Sequence, residues 1–403
     1  MQDFGPLSKQ LGAATGRILE PGHAADRILN GAVFDAIEDL LRRAERSIHI
    51  VMYKWKPGHV SDRILRVLQE RRAAGVSVRI VVDHTGSIDG FTEEVRPKLE
   101  ALGCEVRLFH ALLAHSPTKM LSRNHRKLVV VDGRWGMTGG FAFWDAFDGN
   151  GRTEDTWRDT ALRLEGPAVR WMQQAFLENW LQSGGELPPL SDLPWPTPVG
   201  AGVQAAVVAS SARDRGGTMA RALFRMLLSQ PKKRLWMAVA YFTPDEGVME
   251  LLCNCAKGGA DVKLLLPGRI HDVPLVRDMG RGWYRTMLRS GIRVFEYEPA
   301  MMHTKALVID DHVSVVGSMN MGAGSFEMLE ELSVVVWDRV LNRQLAEDFD
   351  EDLRFAREMD ETTIPMPAAN PARRVLRRAF SAVGHWVRGR REGEQTEASG
   401  GSL

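Results

Sequence analysis

The sequence predicts an α/β fold of two similar α-β-α halves related by a pseudo-twofold axis, with a site at their interface. Three observations predict it. The helix and strand patterns of residues 36–82 recur in the same order over residues 222–266, a His-x-Lys-x4-Asp spacing follows each copy, and a Pro- and Gly-dense stretch at 184–202 separates them. A repeat of this length is too long for a solenoid and points to two facing halves, whose junction receives matching residues from each.

The first copy opens with a helix from Ala36, followed by the strand Ser47-Ile-His-Ile-Val-Met-Tyr53, a helix with Gly75 near its end, and the strand Val78-Arg-Ile-Val-Val82. The second copy repeats that order from Ala222: a helix ending near Pro231, the strand Leu235 to Tyr241, a helix through Leu251 to Ala256 closed by Gly258-Gly259, and the strand Val262 to Leu266. Each copy then carries a further helix and a short strand, within 103–109 and 291–295, and an apolar run headed by a histidine, HRKLVVVD and HTKALVID. Near-continuous apolar strands that alternate with helices imply sheets covered on both faces. The chain divides into a lead-in at 1–29, a first half at 30–183, a linker at 184–202, a second half at 203–360 and a tail at 361–403. Within the lead-in, PGHAADRIL reads as a loop leading into a helix.

A chain of 403 residues has room for two cores. Its hydrophobic content of 44%, charged content of 26% and formal net charge of +1 describe an ordinary globular protein, without the global field that nucleic acid would call for. Cys104, Cys253 and Cys255 stand at no disulfide or zinc spacing and are expected as reduced thiols. The start lacks the basic and apolar regions of a secretory signal, and no later run supplies the roughly 18 apolar residues of a spanning helix. A lipid substrate would therefore be reached from the water side.

His125, Lys127 and Asp132 stand in NHRKLVVVDG, and His303, Lys305 and Asp310 in HTKALVIDDH. One set of three fixed letters arises by chance; two at equivalent points of a duplication carry information. On a strand, residues i and i+2 share a face, so each His is expected beside its Lys while the following apolar residues enter the core. Facing halves would then gather two imidazoles and two ammoniums, which suits displacement at a phosphodiester. One neutral imidazole attacks phosphorus to give a phosphohistidine; the other, protonated, donates to the departing oxygen and later activates an incoming hydroxyl. The lysines offset charge on the non-bridging oxygens, and no metal or other cofactor is needed.

These residues resemble the phospholipase D superfamily, whose hallmark is the duplicated motif followed by glycines, small hydroxyls and an asparagine. Gly317-Ser318-Met319-Asn320 follows that pattern, whereas Thr138-Gly139-Gly140-Phe141-Ala142 has Ala142 where the family has asparagine, so the halves are not equivalent. The resemblance implies phosphate contacts at Gly140, Ser318 and Asn320, and an acid behind each histidine at Asp159 and Glu331. It also implies His125 as nucleophile and His303 as general acid and base, an assignment that the symmetry leaves open to reversal. Asp132 and Asp310 belong to the catalytic motif, but they close their strands before a turn and read as structural.

The resemblance extends from about residue 30 to 355, and the segments at 159–167, 241–245 and 274–277 are similar to bacterial cardiolipin synthases. Such enzymes move a phosphatidyl group from one phosphatidylglycerol to the hydroxyl of a second phospholipid and release glycerol. The acceptor, phosphatidylglycerol or phosphatidylethanolamine, stays open. Phe141, Phe143, Trp144, Phe147, Met301 and Met302 read as an apolar rim for acyl chains or as ordinary core. Residues 371–391 carry seven arginines, no acid and one apolar helical stripe, an interfacial pattern suited to an anionic membrane surface. The resulting expectation is a peripheral protein on the cytoplasmic face of the bacterial membrane. A hydrolytic phospholipase D releasing phosphatidic acid, a superfamily nuclease and a non-catalytic membrane scaffold are the rival readings.

Overall fold

The computed structural model describes residues 5–110, 123–200, 202–211, 219–322, 324–362 and 364. The tail at 371–391 lies outside them. Among the described residues, seven strands longer than two residues come from the first part of the chain: β1 (Glu20–Leu29), β2 (Ser47–Met52), β3 (Ser77–Asp83), β4 (Glu105–Phe109), β5 (Leu128–Val131), β6 (Trp135–Gly139) and β7 (Thr160–Glu165). Eight follow: β8 (Val203–Ser210), β9 (Arg234–Val239), β10 (Asp261–Pro267), β11 (Arg293–Tyr297), β12 (Lys305–Ile309), β13 (Val313–Gly317), β14 (Leu329–Trp337) and β15 (Ala356–Met359). They lie in one 16-stranded sheet ordered β15-β11-β10-β9-β12-β13-β14-β8-β1-β7-β6-β5-β2-β3-β4, the remaining member being Arg123–Asn124 beside β14.

Read outward from the central β8-β1 pair, the order is the same in both directions, apart from β15 at one edge. Each half contributes a parallel trio, β2-β3-β4 or β9-β10-β11, and an antiparallel set, β5-β6-β7 or β12-β13-β14. One face of the sheet carries a core shared by both halves: Val51, Leu128 and Leu162 continue into Val207, Val308 and Val334 beneath the helices Val169–Gln182 and Arg339–Leu353. The opposite face carries a separate core in each half. Burial of these aliphatic side chains, at about 25 cal/mol per Å² of apolar surface, is the main force joining the halves.

One sequence expectation needs correction, and the choice left open between rim and core is decided. PGHAADRIL is not a loop entering a helix: it forms β1, paired with β7 from Ala24 to Leu29 and with β8 near its start. Main-chain pairing on both sides decides this, aided by His23, whose Nδ1–H donates to the Val203 carbonyl while Nε2 accepts from the Ala168 amide. The helix Gly5–Thr15, also within the lead-in, packs Leu7 and Leu11 into the second-half core. Finally, Phe141, Phe143, Phe147, Met301 and Met302 are buried core, and of the expected rim only Trp144 is partly exposed. Among the described residues no helix is long and apolar enough to cross a membrane.

Candidate active site

Each motif histidine is delivered by pairing across the pseudo-twofold axis. Arg123–Asn124 runs parallel to Leu329–Glu330, and the His125 amide donates to the Glu330 carbonyl at 2.9 Å. Met301–Met302 runs parallel to Trp157–Arg158, and the His303 amide donates to the Arg158 carbonyl at 2.7 Å. His125 and its lysine precede β5, while His303 stands two residues before Lys305, the first residue of β12, so the shared-face rule applies to extended chain at the strand entrance. Both lysines fold back: Lys127 Nζ donates to the His125 carbonyl at 2.8 Å, and Lys305 Nζ to the His303 carbonyl at 2.6 Å.

The two histidines are held differently. Nδ1–H of His125 donates to both carboxylate oxygens of Glu331, at 3.0 and 3.1 Å, so the acid from one half orients the imidazole of the other. Glu331 also accepts from Ser318 Oγ at 2.5 Å and Ser325 Oγ at 2.6 Å. A carboxylate so bonded fixes the tautomer of its histidine and leaves Nε2 as the nitrogen with a free lone pair. His303 Nδ1 instead accepts from Lys305 Nζ at 2.9 Å, which puts the ring proton on Nε2.

Asp159 does not make the expected hydrogen bond to His303; both of its buried oxygens lack a partner of hydrogen-bonding geometry. It is one methylene shorter than Glu331, and Gly140 stands where the other half has Ser318, so no hydroxyl reaches it. Burial pushes its pKa up to about 7 against the pull of Lys305. Burial likewise brings His125 down to about 4 despite the opposing charge of Glu331. His303 is driven well below its usual value by burial and then by Lys305 and Lys127, and burial brings Lys305 down to about 8. Desolvation disfavours every charged form here, so both imidazoles rest neutral.

The other expected site residues separate. The Asp132 carboxylate lies at the far end of β5, accepting the amides of Glu45, Arg46 and Ser47 at 2.8, 2.9 and 2.8 Å. Asp310 accepts those of Lys232, Lys233 and Arg234 in the same way. Both are structural fasteners, and placing them among the catalytic residues is corrected on that geometry. Ser318 gives its proton to Glu331. Gly140 supplies clearance: a Cβ there would lie 2.6 Å from Asp159 Oδ1 and 2.7 Å from the His303 carbonyl oxygen. Asn320 accepts the Tyr241 amide through Oδ1 at 3.3 Å, leaving its NH2 group as the donor suited to an anion.

Several site residues were missed in the sequence. Tyr53 packs edge-on to His125 at 5.0 Å and Tyr241 to His303 at 6.0 Å. Tyr53 stands one residue past β2 and Tyr241 two residues past β9, so the repeat does not equate them and its pattern did not single them out. Arg126, fully buried between His125 and Lys127, donates to the carbonyls of Ala175 and Ser210 and pairs with Glu330 at 3.1 Å. It thereby ties the first motif to the second half, and nothing in its spacing announced that. Asp83 accepts the Asn124 amide at 2.9 Å and anchors the segment that enters His125.

The family described as "Cardiolipin synthase, PLD-like domain" matches residues 37–179 and 224–353. The cardiolipin synthase of Geobacillus thermodenitrificans is 32% identical over 333 residues, covering 81% of this chain and 65% of that protein. Cardiolipin synthase 1 of Bacillus anthracis is 29% identical over 352 residues, 84% of this chain and 69% of its own length. The chain thus spans about two thirds of the length of these relatives. Among solved structures, phosphatidylserine synthase of Haemophilus influenzae superposes with a TM-score of 0.68 at 11% identity, covering 94% of this chain and 98% of that one. Polyphosphate kinase of Porphyromonas gingivalis gives 0.53 at 12% identity, covering 92% of this chain and 56% of that one. These structural likenesses speak to the fold, which is the two-lobed phospholipase D arrangement.

Proposed function

The chain belongs to the family of phospholipase D-like domains of cardiolipin synthases, and from that premise we propose that it transfers a phosphatidyl group between phospholipids through a phosphohistidine, making cardiolipin from phosphatidylglycerol. The observation that carries the reading is the Glu331–His125 pair, which prepares one imidazole, and not the other, for attack.

His125 Nε2 bonds to phosphorus as the bond to the glycerol oxygen breaks. His303 Nε2 gives that oxygen its proton, while Lys305, whose Nζ already donates to Nδ1, passes a proton to that nitrogen. Glycerol leaves. The hydroxyl of a second phospholipid then gives its proton to His303 Nε2 and bonds to phosphorus; the phosphorus–nitrogen bond breaks, and the Nδ1 proton returns to Lys305. Glu331 stabilises the positive phosphorylated ring, Lys127 and the Asn320 amide serve the non-bridging oxygens, and Asp159 sits beside Lys305 as a counter-charge. No metal or other cofactor enters this scheme, and nucleic acid is not its substrate. The protein works peripherally at the cytoplasmic face of the membrane, on phosphatidylglycerol as donor, with the arginine-rich 371–391 segment as membrane contact.

The test is lipid product analysis after incubating purified protein with phosphatidylglycerol vesicles. Cardiolipin and glycerol, lost in His125→Ala and in His303→Ala, are the expected result; phosphatidic acid alone would make the protein a hydrolase.

A further inference from the structure

The two halves differ at one point beside the site that the transfer chemistry leaves unused. Ile48 pairs with Val131 as Leu235 pairs with Ile309, which sets the register of the repeat. Continued past the strands, Trp55 falls on Phe242; the first bridges Phe143 and the second pairs with Met321. One residue earlier, Lys54 falls on Tyr241 and Ala142 on Asn320. Where the second half has a tyrosine whose amide is held by an asparagine, the first half therefore has a lysine and an alanine.

The Lys54-Trp55-Lys56 backbone is extended and clamped: the Phe143 amide donates to the Lys54 carbonyl and the Lys56 amide to the Phe143 carbonyl. Trp55 is buried against Phe91 and Phe143, so the two lysines project to the opposite side. Both ammoniums lie over the ring of Trp144, at 5.0 and 4.7 Å from its centroid. Trp144 packs on Trp157 at 5.1 Å, and Trp157 on His303 at 4.9 Å. Lys56 is paired with the exposed Asp89 at 2.8 Å, whereas Lys54, more than half enclosed, is in no ion pair among the described residues.

Resting on the proposed transfer, we infer that Lys54, assisted by Lys56 over the Trp144 ring, binds the phosphodiester of the acceptor lipid. The chemistry asks for such a group. In cardiolipin two phosphodiesters are joined by a three-carbon bridge, so an acceptor whose hydroxyl meets His303 brings its own anion into the neighbourhood of that histidine. Water and simple alcohols bring none. A partly desolvated ammonium that no carboxylate pairs with directly, Asp272 and Asp89 acting on it only through their fields, is a ready anion site, and Trp144 provides an apolar wall for the glycerol carbons. The field of Lys54 contributes to holding His303 below its usual pKa. An anion arriving on Lys54 offsets that field and makes His303 a better base once the acceptor is seated.

The experiment is a partition measured in one tube. Neutral detergent micelles contain phosphatidylglycerol as donor and acceptor together with ethanol, and the ratio of cardiolipin to phosphatidylethanol is read for wild type, Lys54→Met, Lys54→Arg and the surface variant Lys98→Met. Both products come from one intermediate, so the ratio is independent of donor binding, of phosphohistidine formation and of the fraction folded. The expected result is a roughly tenfold lower ratio for Lys54→Met, with Lys54→Arg within about twofold of wild type and Lys98→Met unchanged. An unchanged ratio in Lys54→Met overturns the assignment while leaving the transferase reading intact. Wild-type protein that makes phosphatidylethanol but no cardiolipin overturns both.

Discussion

Replacing Glu331 by glutamine removes one charge from the best-connected group in the site while keeping its shape. The carboxylate is fully buried and accepts from His125 Nδ1, Ser318 Oγ and Ser325 Oγ. Truncation to alanine would strand three donors in a dry site at about 1–3 kcal/mol each, and the loss of folding would hide any effect on rate. Glutamine can still offer its carbonyl to Nδ1–H, with its NH2 group donating to one of the serine oxygens. What disappears is the charge that stabilises the phosphorylated, positive ring. A hydrogen bond to a charged partner contributes about 1–2 kcal/mol more than a neutral one, so turnover should fall roughly 5- to 30-fold. The slowing should not depend on pH between about 6 and 8. Glu331 is one of the influences that raise the pKa of His125, which burial already holds at about 4; without it the ring is neutral throughout that range in both proteins. The assay is initial rate of phosphatidyl transfer beside a urea unfolding curve on the same preparation. A folded Glu331→Gln protein with wild-type turnover would refute the role given to this pair.

Other consequences follow from the same geometry. Asp310→Asn should cost about 1–3 kcal/mol of stability, by urea unfolding, because three amides lose a charged acceptor, while the folded protein keeps its turnover. Gly140→Ala should lower turnover at least tenfold, since the new Cβ meets the His303 carbonyl at 2.7 Å and must displace the catalytic backbone; wild-type kinetics would show that the contact relaxes freely. His49, buried against Phe176 and bonded to Gln173, has a pKa lowered to about 4 by burial, so between the unfolded value near 6.5 and about 4 the unfolded chain binds the extra proton. Its contribution to stability is therefore present above pH 6.5 and is lost on acidification, by about 3 kcal/mol, and a His49→Gln variant should show a flatter unfolding profile over that window. Lys305, brought down to about 8 by burial, loses its proton as pH rises through that value, so the transfer rate should decline above about pH 8; a rate rising through pH 9 would contradict the proton relay.

Much of this was legible in the sequence because it depends on local period and on duplication. The strands β2, β3, β9 and β10 fall within about two residues of the apolar runs that announced them, and the two His-Lys pairs meet because the repeat makes them symmetric. What was not legible depends on partners distant in the chain. β1 has a Pro, a Gly and scattered charges, and it is a strand because β7 and β8 offer it hydrogen bonds on either side. An aromatic cluster after a motif reads equally as rim or core, and only the pairing of Met301–Met302 with Trp157–Arg158 closes over Phe147 and makes it core. The missing Asp159–His303 bond illustrates the same limit. The acid is where the repeat puts it, but one methylene and the absent serine decide whether it reaches. Lys54 went unnoticed because a lone lysine after a strand carries no pattern until the register of both halves is known.

The most direct test of the central claim, that one histidine is prepared for attack and its twin for proton transfer, is to trap the intermediate. Protein turning over phosphatidylglycerol is quenched in alkali, where phosphohistidine survives, and its peptides are weighed. The expected result is a phosphatidyl adduct on the peptide containing His125 and none on the peptide containing His303. An adduct on His303 alone would reverse the roles, and steady turnover with neither peptide modified would contradict the covalent route.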